Sequence, residues 1–422
     1  MSVDVSERLN DAVAAGGARA SAGIPAVAGG GRRKPLPLAF WLHNLFGLKL
    51  SLFLAFVCLT GTIATVAHEI EWLTKPEVRA SAFEPGTEDW GALWAAAERA
   101  YPEATLTGIG SYDRSHAAYF AKSIAARDAS GKEFTIYVDP GTGRVTGHEY
   151  GRSLQDAMRA LHYYLFIPRD IGFYLVTSLG FVLLGSLVTG LIVYKKFWRG
   201  FFRKPRLTRN LRTAMGDLHR LGGLWSIWFV AVISLTSIYY FFEWSGMDWR
   251  SATPRLHESH FAETASAADI ARWTAMARTA KPGLAITAIA LPYGPGDPVI
   301  VQGHWQAVLV RERADAVFID PVTDRIVGQR TAHAMGPGER IVHTVDPLHF
   351  GTFGGLATRL LWAIFGLILT GLAASGAYIY AKRTRFALRE GRLLASLDYL
   401  GVWKWPSVLL VSLVPGVAFL FW

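Results

Sequence analysis

Four stretches of this chain are apolar for long enough to cross a lipid bilayer: Phe40–Ala67, Phe173–Tyr194, Leu221–Phe242 and Leu360–Tyr380. About 20 helical residues span the hydrocarbon core, where each backbone amide must find its partner within its own segment. The fold is thereby narrowed to a helical membrane bundle plus whatever the connecting segments can build. A fifth stretch, Val402–Trp422, carries Pro406 and Pro415 and is expected to span or re-enter. With 51% hydrophobic residues among 422 and a mean hydropathy of +0.24, the chain is too apolar for a soluble protein of its size.

The net charge of +10 and pI of about 9.7 could suggest nucleic acid. The positions of the basic residues argue otherwise. Lys195, Lys196, Arg199, Arg203, Lys204, Arg206, Arg209 and Arg212 share one short loop without an acid. Arg32, Arg33 and Lys34 precede the first span; Lys382, Arg383, Arg385, Arg389 and Arg392 follow the fourth. The long segments 73–160 and 244–350 mix both signs. Short basic loops stay cytoplasmic, so the N-terminus and both basic loops are expected inside and the two long segments outside. Acidic lipid headgroups are natural neighbours of the basic loops. Residues 1–38, rich in Ala and Gly up to residue 31, are expected to be a disordered cytoplasmic N-terminus. The first span reads as an uncleaved anchor rather than a signal peptide. The single cysteine, Cys58, excludes an internal disulfide, a Cys-x-x-Cys-His haem attachment and a cluster held by cysteines of this chain alone.

The chain is internally duplicated. His43 opens His-Asn-Leu-Phe-Gly-Leu and His219 opens His-Arg-Leu-Gly-Gly-Leu; Leu-Thr recurs 16 and 17 residues later, at Leu59-Thr60 and Leu235-Thr236. Each of these spans is followed by a helical segment, 88–101 or 267–280, and then by a strand–turn–strand pattern around Asp139-Pro or Asp320-Pro. Pro102 to Asp139 is 37 residues and Pro282 to Asp320 is 38. Leu161-His162 precedes Gly185 by 23 residues from the histidine, and Leu348-His349 precedes Gly371 by 22. The unit is span, outer α+β domain, span, repeated in one orientation. Expected boundaries are spans at 39–72 and 219–243, an interfacial segment with a span at 162–194 and again at 349–381, outer domains at 73–161 and 244–348, cytoplasmic loops at 195–218 and 382–401, and a fifth span at 402–422.

Histidines at membrane-helix ends are costly and mark ion, proton or electron paths. A non-covalent low-spin haem needs two axial imidazoles from facing helices. Repeat symmetry supplies two pairs: His43 with His219 at the cytoplasmic ends, and His162 with His349 before the helices that begin outside. Gly47 and Gly223, one turn beyond their histidines, would admit a macrocycle or serve close helix packing. The outer ligand set stays open. His68 lies 25 residues after His43 on nearly the same helix face, and His343 is the equivalent of His162 by spacing from the hairpin. Lys49 could snorkel or neutralise a haem propionate; Arg220, Arg212 and Arg359 are similar candidates. His257 and His260 form a His-x-x-His fit for at most a weak metal site.

The Asp139-Pro-x-Thr-Gly143 hairpin behind a helix resembles a PepSY domain, and the four histidine motifs together resemble the PepSY-associated transmembrane family over residues 38–385. The second hairpin departs from the first, with Asp324 where Gly143 stands. Members of the family include haem-containing reductases of ferric siderophores in the bacterial inner membrane. The resemblance implies haem b, a periplasmic ferric chelate as substrate and that localisation. No strand-borne Gly-x-Gly-x-x-Gly and no room for a nucleotide domain occur in the cytoplasmic segments, so electrons are expected from membrane quinol or a separate reductase. Trp249, Trp305, Tyr112 and Arg255 are candidate substrate contacts. A non-enzymatic reading has the protein bind or inhibit an envelope partner. A metal permease fits less well, because the histidines leave the midplane apolar.

Overall fold

The computed structural model describes residues 38–111, 118–258, 260–383, and 404, 405 and 408. The expected disordered N-terminus and most of the fifth apolar stretch lie outside these residues. Among the described residues three helices are long and apolar enough to cross a membrane, Arg169–Val193, Ile227–Trp244 and Thr352–Ile379; Ser51–Thr65 and Ala67–Thr74 form a fourth candidate span bent by 54°. In chain order the helices are α1 (Leu38–Lys49), α2 (Ser51–Thr65), α3 (Ala67–Thr74), α4 (Trp90–Ala100), α5 (Leu154–Tyr164), α6 (Arg169–Val193), α7 (Leu211–Trp225), α8 (Ile227–Trp244), α9 (Ala267–Ala280), α10 (Pro337–Phe350) and α11 (Gly355–Arg383).

The first and third apolar stretches read as continuous spans, but both break. The first breaks at Leu50 and Val66, the third at Ser226, all with ψ between 8° and 15°. At Ser226 the hydroxyl donates back to the Gly222 carbonyl at 2.6 Å, a bond that competes with the helix ladder. Segments α2, α5, α6, α8 and α11 bury one shared apolar core that includes Phe53, Val57, Leu161, Leu183, Phe229 and Leu369.

The strands are β1 (Thr105–Gly110), β2 (Lys122–Arg127), β3 (Glu133–Asp139), β4 (Arg144–Tyr150), β5 (Ala285–Ala290), β6 (Val299–His304), β7 (Asp315–Asp320) and β8 (Arg325–Arg330). The sequence suggested two outer domains; their strands join in one eight-stranded sheet, ordered β4-β3-β2-β1-β5-β6-β7-β8. The join is the antiparallel β1–β5 pair, where Ile109 faces Ile289. These residues are repeat equivalents, since Pro102 and Pro282 are offset by the same 180 residues. A residue paired with its own equivalent sits on a two-fold axis, as in an isologous dimer. The helices above agree: a Cβ on Gly91 would lie 2.8 Å from the Cβ of Ala271, again 180 residues on. Helices α4 and α9 bury Trp90, Trp94 and Trp273 against Ile124, Ile136, Ile289 and Ile319 of the sheet. Asp89 caps α4, and Ser266 with Asp269 forms a capping box at α9.

Both hairpin turns work as their sequences suggest. Asp139 accepts from Gly141 N and Thr142 Oγ1, and Asp320 from Val322 N and Thr323 Oγ1. Gly143 has φ +67° and Asp324 φ +53°, so the departing residue keeps the left-handed conformation, which short polar side chains tolerate.

Candidate functional site: two facing histidine pairs

The histidine-bearing helices α5 and α10 are short and end in left-handed residues, Leu165 (φ 58°) and Gly351 (φ 68°), which turn the chain into α6 and toward α11. These caps bring His162 and His349 to the bundle axis just below the sheet, with ring centroids 6.3 Å apart. Two imidazoles bound from opposite sides to one metal, at about 2 Å per bond, would hold their ring centroids roughly 6 Å apart. Both rings line a cavity of about 370 Å³ that reaches Thr287, Ala288 and Gln302 of the sheet. At the other end of the bundle His43 and His219 line a second cavity of about 470 Å³. Both volumes lie in the range of small-molecule sites. Leu54, Leu183 and Leu369 line both cavities, so one layer of side chains separates them.

Hydrogen bonding fixes the tautomer of His162 and His43 and suits the same tautomer at His349 and His219. His162 Nδ1 lies 2.9 Å from Val57 O, and His43 Nδ1 3.0 Å from Ser186 O. A carbonyl only accepts, so each Nδ1 carries the proton. His349 Nδ1 lies 2.7 Å from Thr236 Oγ1, whose own proton goes to Val232 O. His219 Nδ1 lies 2.9 Å from Ser375 Oγ, which donates to Leu372 O. Each Nε2 is left as the unprotonated nitrogen, the state a metal ligand requires. These bonds run within each repeat, α5 to α2 and α1 to α6, then α10 to α8 and α7 to α11. His162 meets His349 across the two repeats, and His43 shares its cavity with His219 across them too.

Glycines admit three of the rings. A Cβ on Gly61 would lie 2.6 Å from His162, on Gly190 3.2 Å from His43, and on Gly376 3.4 Å from His219. The sequence pointed to Gly47 and Gly223. Gly223 lines the far cavity but a Cβ there would meet only Leu372; the surroundings of Gly47 lie outside what is described. The ring-contacting glycines come from the partner helices; Gly190 and Gly376 recur at equivalent positions of the second and fourth spans, but spacing does not say which ring each one meets.

Charge is supplied at both cavities. Arg220 lines the far cavity with its Nε and Nη1 buried and, among the described residues, unpartnered. Its Nη2 donates to Arg203 O at 3.3 Å, and Asp217 lies 3.9 Å away. Asp217 is itself clamped by Arg206, which holds its carboxyl well below the usual range. Arg359, 2% exposed, lines the sheet-side cavity and donates to Glu69 at 3.1 Å. Arg212 is exposed at the start of α7, and the Lys49 side chain lies outside what is described.

His68 lines the sheet-side cavity as well, 3.6 Å from Glu71 and edge-on to Phe120. His343 is 4% exposed but lines neither cavity. Burial and the arginines around it push its imidazole down to about 3. His260 binds Asp320 at 2.7 Å, and no group of three His, Cys, Asp or Glu side chains converges among the described residues. Trp249 packs on Gly338, Trp305 donates to Pro282 O, and Arg255 pairs with Asp297; none of the three lines either histidine cavity. Tyr112 lies outside the described residues. Cys58 is free and lines the sheet-side cavity.

A family model described as the PepSY-associated TM region matches residues 40–383. The chain belongs to this family. The match takes in both histidine pairs and the whole sheet of this PepSY-associated membrane protein. No curated protein matches it.

Proposed function

We propose that the protein is a di-haem b oxidoreductase of the bacterial inner membrane that passes single electrons outward to a periplasmic ferric chelate. The observation that carries this reading is the pair of facing histidine pairs. All four rings have Nδ1 tied to a neighbouring helix and Nε2 left for a metal. A b-type haem held between His43 and His219, and another between His162 and His349, would supply reversible one-electron carriers. The chain's own residues do the rest. The Nδ1 bonds orient the imidazoles and raise their basicity. Gly61, Gly190 and Gly376 keep the space beside the rings clear. Arg220 at the far site and Arg359 at the sheet-side site suit the acid groups of a cofactor. The leucine layer shared by the two cavities excludes water and keeps the sites close.

In this reading the four apolar elements cross the membrane, the basic loop 195–212 is cytoplasmic, and the sheet is periplasmic. Membrane quinol, or a separate reductase protein, gives up one electron at a time on the cytoplasmic side or within the membrane. Fe(III) in the chelate gains that electron and leaves as Fe(II), which oxygen ligands hold less tightly. Purified protein is expected to contain two haems with bis-imidazole spectra. His43→Ala or His219→Ala should remove one haem, and His162→Ala or His349→Ala the other. Full haem content in all four single variants would overturn the reading.

A further inference from the structure

The repeat sets an expectation that one loop breaks. The β2–β3 connection takes residues 128–132, whereas its counterpart between β6 and β7 takes 305–314. The longer loop contains two non-glycine residues in the left-handed region, Gln306 (φ 56°) and Leu309 (φ 55°). Strain of this kind persists where the surroundings hold it, and it clusters at functional sites. The loop brings Arg311 and Arg313 to the sheet-side cavity, where the bundle contributes Arg159.

Arg311 is fixed. Its backbone N–H donates to His343 O at 2.8 Å, and its guanidinium pairs with Asp346 through both oxygens. Arg159 lies over the ring of Tyr163 at 5.2 Å. Among the described residues neither Arg159 nor Arg313 makes an ion pair with a carboxylate. Burial, then the charge of Arg311, lowers the proton affinity of Arg313. The cavity is lined by four arginines against two carboxylates, Glu312 and Asp346; the fourth arginine, Arg359, is offset by Glu69 just outside the lining, which leaves Arg159 and Arg313 as the excess charge. Like charges gathered at low dielectric repel one another, and an anion relieves the repulsion. Guanidinium forks match carboxylates in a two-point geometry.

We infer that this antechamber between sheet and bundle binds anions, and that the protein selects ferric chelates of net negative charge, rich in carboxylates, over neutral and cationic ones. The inference rests on the reductase reading for the identity of the ligand, though not for its charge.

The test uses full-length protein in detergent and redox-inert probes: gallium(III) citrate, which is anionic, and a cationic gallium trihydroxamate. Calorimetry is expected to give at least tenfold tighter binding of the citrate complex. Arg159→Gln/Arg313→Gln should lose at least tenfold in citrate affinity, while Arg313→Lys retains most of it. Elution profile, melting temperature and haem spectrum should match those of the parent. Equal affinity for the two probes, or citrate binding unchanged in the double variant, sinks the proposal even if the protein reduces ferric chelates. A changed haem spectrum in the double variant would assign the arginines to the cofactor and overturn it too. Binding of phosphatidylglycerol, but not gallium citrate, through the same arginines would make the site a lipid site and overturn it. Arginine-dependent citrate binding by protein that carries no haem would uphold the anion site and remove the reductase reading.

Discussion

A neutral imidazole offers a metal only the nitrogen that carries no proton, so the partner of the other nitrogen decides whether the ring is a usable ligand. All four axial candidates meet this condition, with acceptors on neighbouring helices: Ser186 O, Val57 O, Ser375 Oγ and Thr236 Oγ1. His343 does not share it. Its Nδ1 is buried without a partner among the described residues, and it faces neither cavity. Of the three glycines beside the rings, Gly61 makes the tightest contact: an added Cβ would sit 2.6 Å from His162 Cε1. The repeat equivalent of Gly61 is Ser237, so the second half accommodates a Cβ there. Gly61→Ala is predicted to displace His162 and weaken the sheet-side haem while leaving the far one intact. Loss of about half the haem, read by pyridine haemochrome and by low-spin EPR signals, is the expected outcome. Ser237→Ala should leave haem content unchanged. Unaltered EPR of both haems in Gly61→Ala would show that His162 does not depend on this clearance.

Among the elements, the α5–α6 turn and its α10–α11 counterpart aim the sheet-side histidines. The first is held by the non-glycine left-handed Leu165 and by Gly172, where a Cβ would lie 2.2 Å from Tyr164 O. The sheet is held differently. Lys122 opens β2 fully buried, and its ammonium donates to Glu88 at 2.9 Å and to Ser111 Oγ at 2.8 Å. Burial lowers the proton affinity of Lys122, and the Glu88 carboxylate opposes this. Removing one partner of such a pair strands a buried charge at a cost of about 3–5 kcal/mol, whereas replacing both with apolar groups is often neutral. Lys122→Met is therefore predicted to lower the melting temperature of the sheet domain by several degrees. Lys122→Met/Glu88→Leu should recover most of that loss, as followed by circular dichroism in detergent. A double variant no more stable than the single one would mean that the pair is not coupled. Two hairpins built on Asp-Pro-x-Thr were readable in the sequence because turn chemistry is local. The break at Ser226 was not, because apolar composition continues through it.

At the scale of the whole molecule, duplication has produced a fused pseudo-dimer. The axis runs through the Ile109–Ile289 pair and the α4–α9 contact, and relates the members of each histidine pair. The two ligands of each proposed haem then come from different halves, so neither half can assemble a site alone. The sheet and the basic loop lie at opposite ends of the bundle, and the charge asymmetry predicts opposite sides of the membrane. With Cys58 replaced by Ala, Arg144→Cys and Arg203→Cys variants in intact spheroplasts should differ. The first is expected to react with a membrane-impermeant maleimide and the second only after lysis. Equal labelling of both before lysis would remove the transmembrane relay. The sequence by itself determined the helical membrane class, the duplication, the basic loops and the four histidines, because hydropathy, charge and repeat spacing are one-dimensional signals. Only the tertiary structure decided that the two outer units share one sheet, since β1–β5 pairing joins residues about 180 positions apart. It also decided that His162 faces His349 while His343 stands apart, that Gly61, Gly190 and Gly376 clear the rings, and that Arg159, Arg311 and Arg313 meet at one cavity. Each of these depends on which faces of distant helices and loops touch, and that is fixed by packing rather than by spacing along the chain.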